Sequence, residues 1–177
     1  GSAQDAKFKT LSGAFNQDFV AGGKDAFILK FSPTTVLNWA TFYGGTNDDD
    51  AKDIAIDGNG NIVVTGYTES PDFPLFNAGS GAYYDTTLAG GKDAFIIRFN
   101  SFGQRIWATL FGGTNDEEGR AVTCDSQGNV FVSGYTKSTD MDTLDAGLGG
   151  YYKNTIGGLS DVFLLKFNDS NIMQFST

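Results

Sequence analysis

The chain repeats itself, and the length of the period decides what it can fold into. Asp25-Ala26-Phe27-Ile28-Leu29-Lys30-Phe31 returns as Asp93-Ala94-Phe95-Ile96-Ile97-Arg98-Phe99 and again as Asp161-Val162-Phe163-Leu164-Leu165-Lys166-Phe167; the steps from 25 to 93 and from 93 to 161 are each 68 residues. Trp39 and Trp107, Gly44-Gly45 and Gly112-Gly113, Gly66-Tyr67-Thr68 and Gly134-Tyr135-Thr136, and Tyr83-Tyr84 and Tyr151-Tyr152 keep the same offset without a gap. The 177 residues hold about 2.6 periods, one continuous repeat array with no room for two ordinary domains.

Each period reads as four short strands. Lys52 to Asp57 alternates polar and apolar residues, Asn61 to Gly66 does so in part, and Gly58-Asn59-Gly60 between them tolerates positive φ, the pattern of a tight hairpin. After a stretch rich in Gly, Pro, Asp and Ser comes the Asp-Ala-Phe strand, then a fourth strand through Leu37 to Phe42 that stops at Gly44-Gly45. No segment carries an apolar stripe of helical period with caps, so the helix content expected is near zero. Four strands in a period of this length predict antiparallel propeller blades, the radial way to hide sheet edges; a β-solenoid would repeat over a much shorter span.

Asp-Ala-Phe-x-x-(Lys/Arg)-Phe, Trp-Ala-Thr-x-(Phe/Tyr)-Gly-Gly and Ile54-Ala55-Ile56-Asp57 running into Gly-Asn-Ile-Val-Val-Thr-Gly-Tyr-Thr, with Asp72-Phe73-Pro74 beyond, resemble the bacterial seven-bladed β-propeller repeat, SBBP. The resemblance implies an all-β fold of antiparallel four-stranded blades, with the Ile54-to-Asp57 type of strand innermost, then Ile62 to Thr68, Ala26 to Phe31 and Asn38 to Tyr43. It also implies a secreted or cell-surface setting and attaches no single activity. The third copy departs from the pattern, with Met141-Asp142 in place of Phe73-Pro74 and no Gly-Gly after its last strand. The expected organisation is an N-terminal loop or added strand (1–24), an outer half-blade (25–45), a complete blade (46–113) and a blade with a clipped last strand (114–177). This is an incomplete propeller.

Composition removes several functions. There are 12 basic and 21 acidic residues, a formal charge of −9, which is the wrong sign for nucleic acid or an anionic membrane surface. Histidine is absent, and with it the commonest general base and metal ligand. The single cysteine, Cys124, stands where the previous period has Ile56, so it reads as a small hydrophobe. No apolar run has the roughly 20 residues of a membrane-spanning helix.

The remaining candidates sit in loops and at edges. Asp48, Asp49, Asp50 and Asp53 cluster after Gly-Gly and could hold calcium weakly, although the spacing matches no known calcium loop and a solvated loop explains it as well. Asp57-x-Asn59-x-Asn61 resembles the start of a calcium loop, but its copy Asp125-x-Gln127-x-Asn129 loses an acceptor, which favours a turn that bonds its own backbone. Tyr83, Tyr84, Tyr151 and Tyr152 offer an aromatic platform for a glycan or a protein, or fold back over the blade. Trp39 and Trp107 are expected between blades, and Lys30, Arg98 and Lys166, which recur in the strands that open with Asp25, Asp93 and Asp161, in cross-strand or inter-blade ion pairs. Ile54, Ile56, Val63, Phe27, Leu29 and their copies are expected to be buried.

Three functions follow: a non-catalytic structural or adhesive module that self-associates as an oligomer or filament, a glycan- or calcium-binding domain, or a glycosidase using carboxylates such as Asp49 and Asp116. A catalytic pair usually breaks repeat symmetry, and these recur, so an enzyme ranks last and no cofactor is expected. A closed propeller needs at least about four blades. The missing blades come from other copies, through an edge that includes Phe8, Leu11 and Phe175, or from a longer parent chain.

Overall fold

The computed structural model describes residues 1–4, 15, 17, 21–147, 149 and 151–177, and among them it contains eleven strands and no helix. These are β1 (Ser2–Ala3), β2 (Asp25–Phe31), β3 (Leu37–Tyr43), β4 (Asp49–Ile56), β5 (Ile62–Thr68), β6 (Asp93–Phe99), β7 (Arg105–Phe111), β8 (Glu117–Cys124), β9 (Val130–Thr136), β10 (Asp161–Phe167) and β11 (Met173–Ser176).

One turn builds all the tight hairpins. In β4-β5, Asp57 Oδ1 accepts from the Asn59 and Asn61 amides, and Gly60 takes the left-handed conformation at φ 77°. The same turn recurs with Asp125 and Gly128, with Asn100 and Gly103, and with Asn168 and Asn171, each a side-chain oxygen followed three residues later by a residue at positive φ. Ser32 and Thr35 build the β2-β3 version. The self-bonded reading of Asp57 and Asp125 therefore holds.

The strands form three antiparallel sheets in the orders β1-β2-β3, β4-β5-β6-β7 and β8-β9-β10-β11, so blade order within each period is the expected one. A bulge in β4 between Ala51 and Asp53 lies opposite Gly66, and its copy in β8 lies opposite Gly134. Glycine is required there, because a Cβ on Gly66 would come within 1.9 Å of the Asp50 carbonyl oxygen. Gly66→Ala should lower stability by roughly 1–3 kcal/mol in chemical denaturation, whereas an unchanged midpoint would mean that the bulge relaxes freely.

The blades stack face to face in chain order. Between the first and second lie Ile28, Trp39 and Tyr43 against Ile62, Val64, Phe95, Ile97 and Phe99. Between the second and third lie Val63, Ile96, Trp107 and Phe111 against Val122, Val130, Val132, Phe163, Leu165 and Phe167. Both tryptophans are buried at these junctions, Trp39 beside Phe99 and Trp107 beside Phe167 with ring centroids 5.9 and 5.0 Å apart.

One expectation needs correction and two become specific. Ile54 and Ile56 are 52% and 68% exposed, while their copies Val122 and Cys124 are buried and half-buried. The cause is the first blade: β4 covers the inner strand of the third blade, whereas on its other side, among the described residues, β4 meets β1 and β2, with no hairpin over it. Phe27 and Leu29 are only half-buried for the same reason. Second, the added strand is Ser2–Ala3, paired with Ala26 and Asp25 at the place that Tyr67 and Thr68 hold beside β6. The expected edge residues Phe8 and Leu11 lie outside the described residues. Third, Arg98 makes the expected cross-strand ion pair, but not with the acid of its own strand, Asp93. The two stand five residues apart on one extended strand, about 16 Å, and Arg98 binds Asp57 instead, at 2.5 Å.

Candidate interaction surface at the open blade faces

Three kinds of side chain tie each blade to the next, and each recurs with the period. The first is cationic. Lys30 Nζ donates to the Ser101 carbonyl and Arg98 Nη1 to the Asp169 carbonyl, each reaching the outer turn of the following blade. Arg98 also donates to Asn171 Oδ1 at 3.0 Å. Burial alone would raise the Asp57 pKa, but Arg98 and the Asn61 and Asn59 donors outweigh it and hold the carboxyl below its ordinary range.

The second is aromatic. The Phe15 amide donates to the Gly103 carbonyl and its ring lies 4.8 Å from that of Tyr43. One period on, the Tyr83 amide donates to the Asn171 carbonyl, and the ring sits between Phe111 and Phe167 at 6.1 and 5.9 Å. Tyr83 Oη donates to Asp142 Oδ2, and burial, reinforced by Asp142, raises the phenol pKa. The first tyrosine of this pair thus folds back between blades. Phe15 escaped sequence reasoning because Phe stands there in place of Tyr; the signal was available in Ser12-Gly13-Ala14, which returns 68 residues on as Ser80-Gly81-Ala82 ahead of Tyr83.

The third is apolar: Ala26 and Ile28, then Ala94 and Ile96, face the next blade and are buried.

The third copy of every tie is left open. Tyr151 is 80% exposed and Val162 is 71% exposed. Lys166 Nζ lies over its own blade's Phe131 ring, 5.4 Å from the centroid. Phe175, on β11 opposite Lys166, is half-buried. Of the remaining tyrosines, Tyr84 is exposed, and Tyr152 shares a 2.8 Å hydrogen bond with Thr143. The opposite end of the stack is also open, where Phe31, Ile54 and Ile56 face outward.

The acidic candidates are drawn apart. Asp48 accepts from the Lys24 amide at 2.9 Å, and this bond first, with the Lys24 ammonium, holds its pKa down. Asp50 pairs with Lys52, and Asp53 accepts from the Val122 amide across the blade junction. Asp49 is fully buried and accepts from the Gly45 amide and Ser70 Oγ at 2.8 and 2.9 Å. Its copy Glu117 accepts from Gly113 and Thr136. Asp116 pairs with Lys137 at 2.8 Å. Among the described residues no three potential ligands converge.

Burial pushes Asp49 up to about 6, with Asp25 adding to it, and Asp93 up to about 6, with Glu117 and Asp85 adding. A carboxyl whose folded pKa exceeds its unfolded value binds protons more tightly when folded, so stability rises as pH falls through about 6 towards 4. Below that window the depressed carboxyls Asp48, Asp57 and Asp72 lose their contribution. Thermal stability should therefore peak between about pH 4 and 6, and Asp49→Asn with Asp93→Asn should flatten the rise from neutral pH; a profile unchanged in the double variant would refute the assignment.

Repeated four-stranded sheets, interlocked through periodic ties, agree with the comparison of the chain with known families: residues 38–74 and 106–140 match the SBBP β-propeller repeat. Over these two stretches the chain matches the SBBP repeat. Similar sequences occur in an uncharacterized WD repeat-containing protein of Acanthamoeba polyphaga mimivirus, 32% identical over 130 residues, or 63% of this chain and 9% of that protein. The regulatory protein FlaEY of Caulobacter vibrioides is 26% identical over 119 residues, 67% of this chain and 12% of that protein. The SBBP segment thus spans about a tenth of the length of these curated relatives.

Proposed function

We propose that the chain is a non-catalytic protein-interaction module whose open blade faces bind further propeller blades, with a second copy of the chain as the partner. The observation that carries this is the third set of ties. Tyr151, Lys166 and Val162 have copies that all reach into a following blade, and here they meet none. Head-to-tail contact is heterologous, so it extends into an oligomer or open filament unless the rotation closes it. The blades of a longer parent chain would meet the same faces, a reading favoured by the much greater length of the two relatives.

Two one-sided variants test it. Ile54→Glu with Ile56→Glu spoils the first face, and Val162→Glu with Leu164→Glu spoils the last. Each alone should sediment as a monomer, and a mixture should form 1:1 pairs through the two intact faces. Monomers in the mixture, or wild-type association by both variants, would contradict the proposal.

The separate engagements of Asp48, Asp49, Asp50 and Asp53 support weak calcium binding at most. A rise in melting temperature above about ten degrees at millimolar calcium would contradict that. A secreted or cell-surface setting rests on the family resemblance; failure of protease to reach the protein on intact source cells would count against a surface location.

A further inference from the structure

Asn59-Gly60 is the one Asn-Gly step in the chain, and the copy 68 residues on has Gln127-Gly128 in its place. Such a step carries chemistry of its own. Asparagine is a thermolabile side chain, and the amide nitrogen that follows it attacks the carboxamide carbon most readily where no side chain crowds that nitrogen. The structure leaves this step open. Asn59 is exposed at the tip of the β4-β5 turn, and its carboxamide has no hydrogen-bond partner among the described residues. By contrast, Asn47 Nδ2 donates to the Glu69 carbonyl, Asn61 Nδ2 to Asp57, Asn100 Nδ2 to Gln104 and Asn129 Nδ2 to Asp125. Gly60 stands clear as well: within 4 Å, a Cβ on it would meet only Ser101 Cβ, at 3.7 Å.

One bond opposes the reaction. The Gly60 amide donates to the Asp57 carbonyl at 3.0 Å, so the turn has to open there before the nitrogen is free. The adjoining Asp57-Gly58 step is closed to the same chemistry, because Asp57 is buried and its carboxylate is held by Arg98, Asn59 and Asn61, and a carboxylate resists a nucleophile.

We infer that Asn59 is a site of spontaneous deamidation, and that the product loosens the junction between the second and third blades. The Gly60 nitrogen gives its proton to solvent and bonds to Asn59 Cγ; the Cγ–Nδ2 bond breaks, and ammonia leaves with a proton taken from solvent, so that a five-membered imide remains. One water then opens the ring. Addition at Cγ yields aspartate, and addition at the Asn59 main-chain carbonyl carbon yields isoaspartate, whose main chain runs through Cβ and Cγ. Water enters, ammonia leaves, and nothing is oxidised or reduced. Either product puts a new carboxylate beside Asp57, and the isoaspartyl form adds a methylene to a turn that the Asn59, Gly60 and Asn61 amides fix on Asp57. Arg98 depends on that turn, since it spans from Asp57 to the Asp169 carbonyl and Asn171 of the third blade. The turn also abuts its own copy: a Cβ on Gly58 would come within 3.3 Å of the Ser126 carbonyl oxygen. Gln127 in that copy needs a six-membered ring, which closes more slowly, so the chain carries its own control.

The test ages the full chain in warm, mildly alkaline buffer beside the synthetic peptide Ile-Asp-Gly-Asn-Gly-Asn-Ile, the sequence of residues 56–62. Mass spectrometry of the digested chain should show the exchange of NH for O in the fragment that holds Asn59, at least tenfold more than in any other fragment, with both aspartyl and isoaspartyl forms resolved by electron-transfer fragmentation. Asn59→Gln should abolish the gain in that fragment. The aged wild-type chain should melt several degrees lower than the fresh one, while aged Asn59→Gln melts as it did when fresh. No gain at Asn59 by the time the free peptide has fully converted would overturn the inference, because the Gly60 bond would then protect the step; equal gain at Asn77, Asn115 or Asn154 would overturn it too. Conversion with no fall in melting temperature would overturn the coupling to the blade junction.

Discussion

Replacing Arg98 with alanine should lower folding stability by about 3–5 kcal/mol, the usual cost of removing one partner from a buried ion pair. The guanidinium is almost wholly buried and joins Asp57, Asp169 and Asn171, so one side chain links an inner hairpin of the second blade to an outer turn of the third. Its loss strands the Asp57 carboxylate out of water, with only the Asn59 and Asn61 donors left. For a chain of this size the melting temperature should fall by about 10 °C or more. Arg98→Met combined with Asp57→Asn should recover part of the loss, because the uncompensated charge is gone. Equal losses in the single and double variants would show that the cost is packing alone. The exposed pair Lys137–Asp116 gives the contrast: breaking it should leave the melting temperature nearly unchanged.

Trp107→Ala should cost about 3–5 kcal/mol for a different reason, the cavity left where a large ring is removed from a junction that cannot collapse. The indole is fully buried, meets Phe167 edge-on, and donates from Nε1 to the Tyr83 carbonyl at 2.8 Å. That hydrogen bond also fixes the segment in which Tyr83 bridges the blades. Trp107→Phe keeps most of the apolar contact and loses the donor, so it should fall between the wild type and Trp107→Ala. If the alanine variant melted like the wild type, the ring would not be holding the second blade to the third.

The periodic features were legible because a repeat states each structural demand more than once. Asp-Ala-Phe strands, Gly-Asn hairpins and the two tryptophans define blade order without any coordinates, and the structure follows them strand by strand. What could not be read depended on neighbours in space. Ile54 and Val122 occupy the same position in their periods, yet one is exposed and the other buried, because burial is set by whether the preceding blade carries an inner hairpin. An ion pair of Arg98 across strands was legible, but not its partner: extended geometry carries Asp93 of the same strand away, and the turn at Asp57 brings another acid to it. The tyrosine pairs read either as a ligand platform or as rings folded back over the blade; the hydrogen bond from the Tyr83 amide to Asn171 shows the first of them folded back and tying blades together. In the acidic loop, alternation along β4 sends successive carboxylates to different neighbours, which composition cannot reveal.

The central claim is that faces left open by this blade stack bind other blades, and the molar mass of the wild-type chain in solution tests it most directly. Light scattering across a wide range of protein concentration should give a weight-average mass that climbs above 18.9 kDa, continues upward without a plateau if the contact fails to close, and falls back on dilution. A mass fixed at 18.9 kDa at every concentration, from a cooperatively folded protein, would contradict the account.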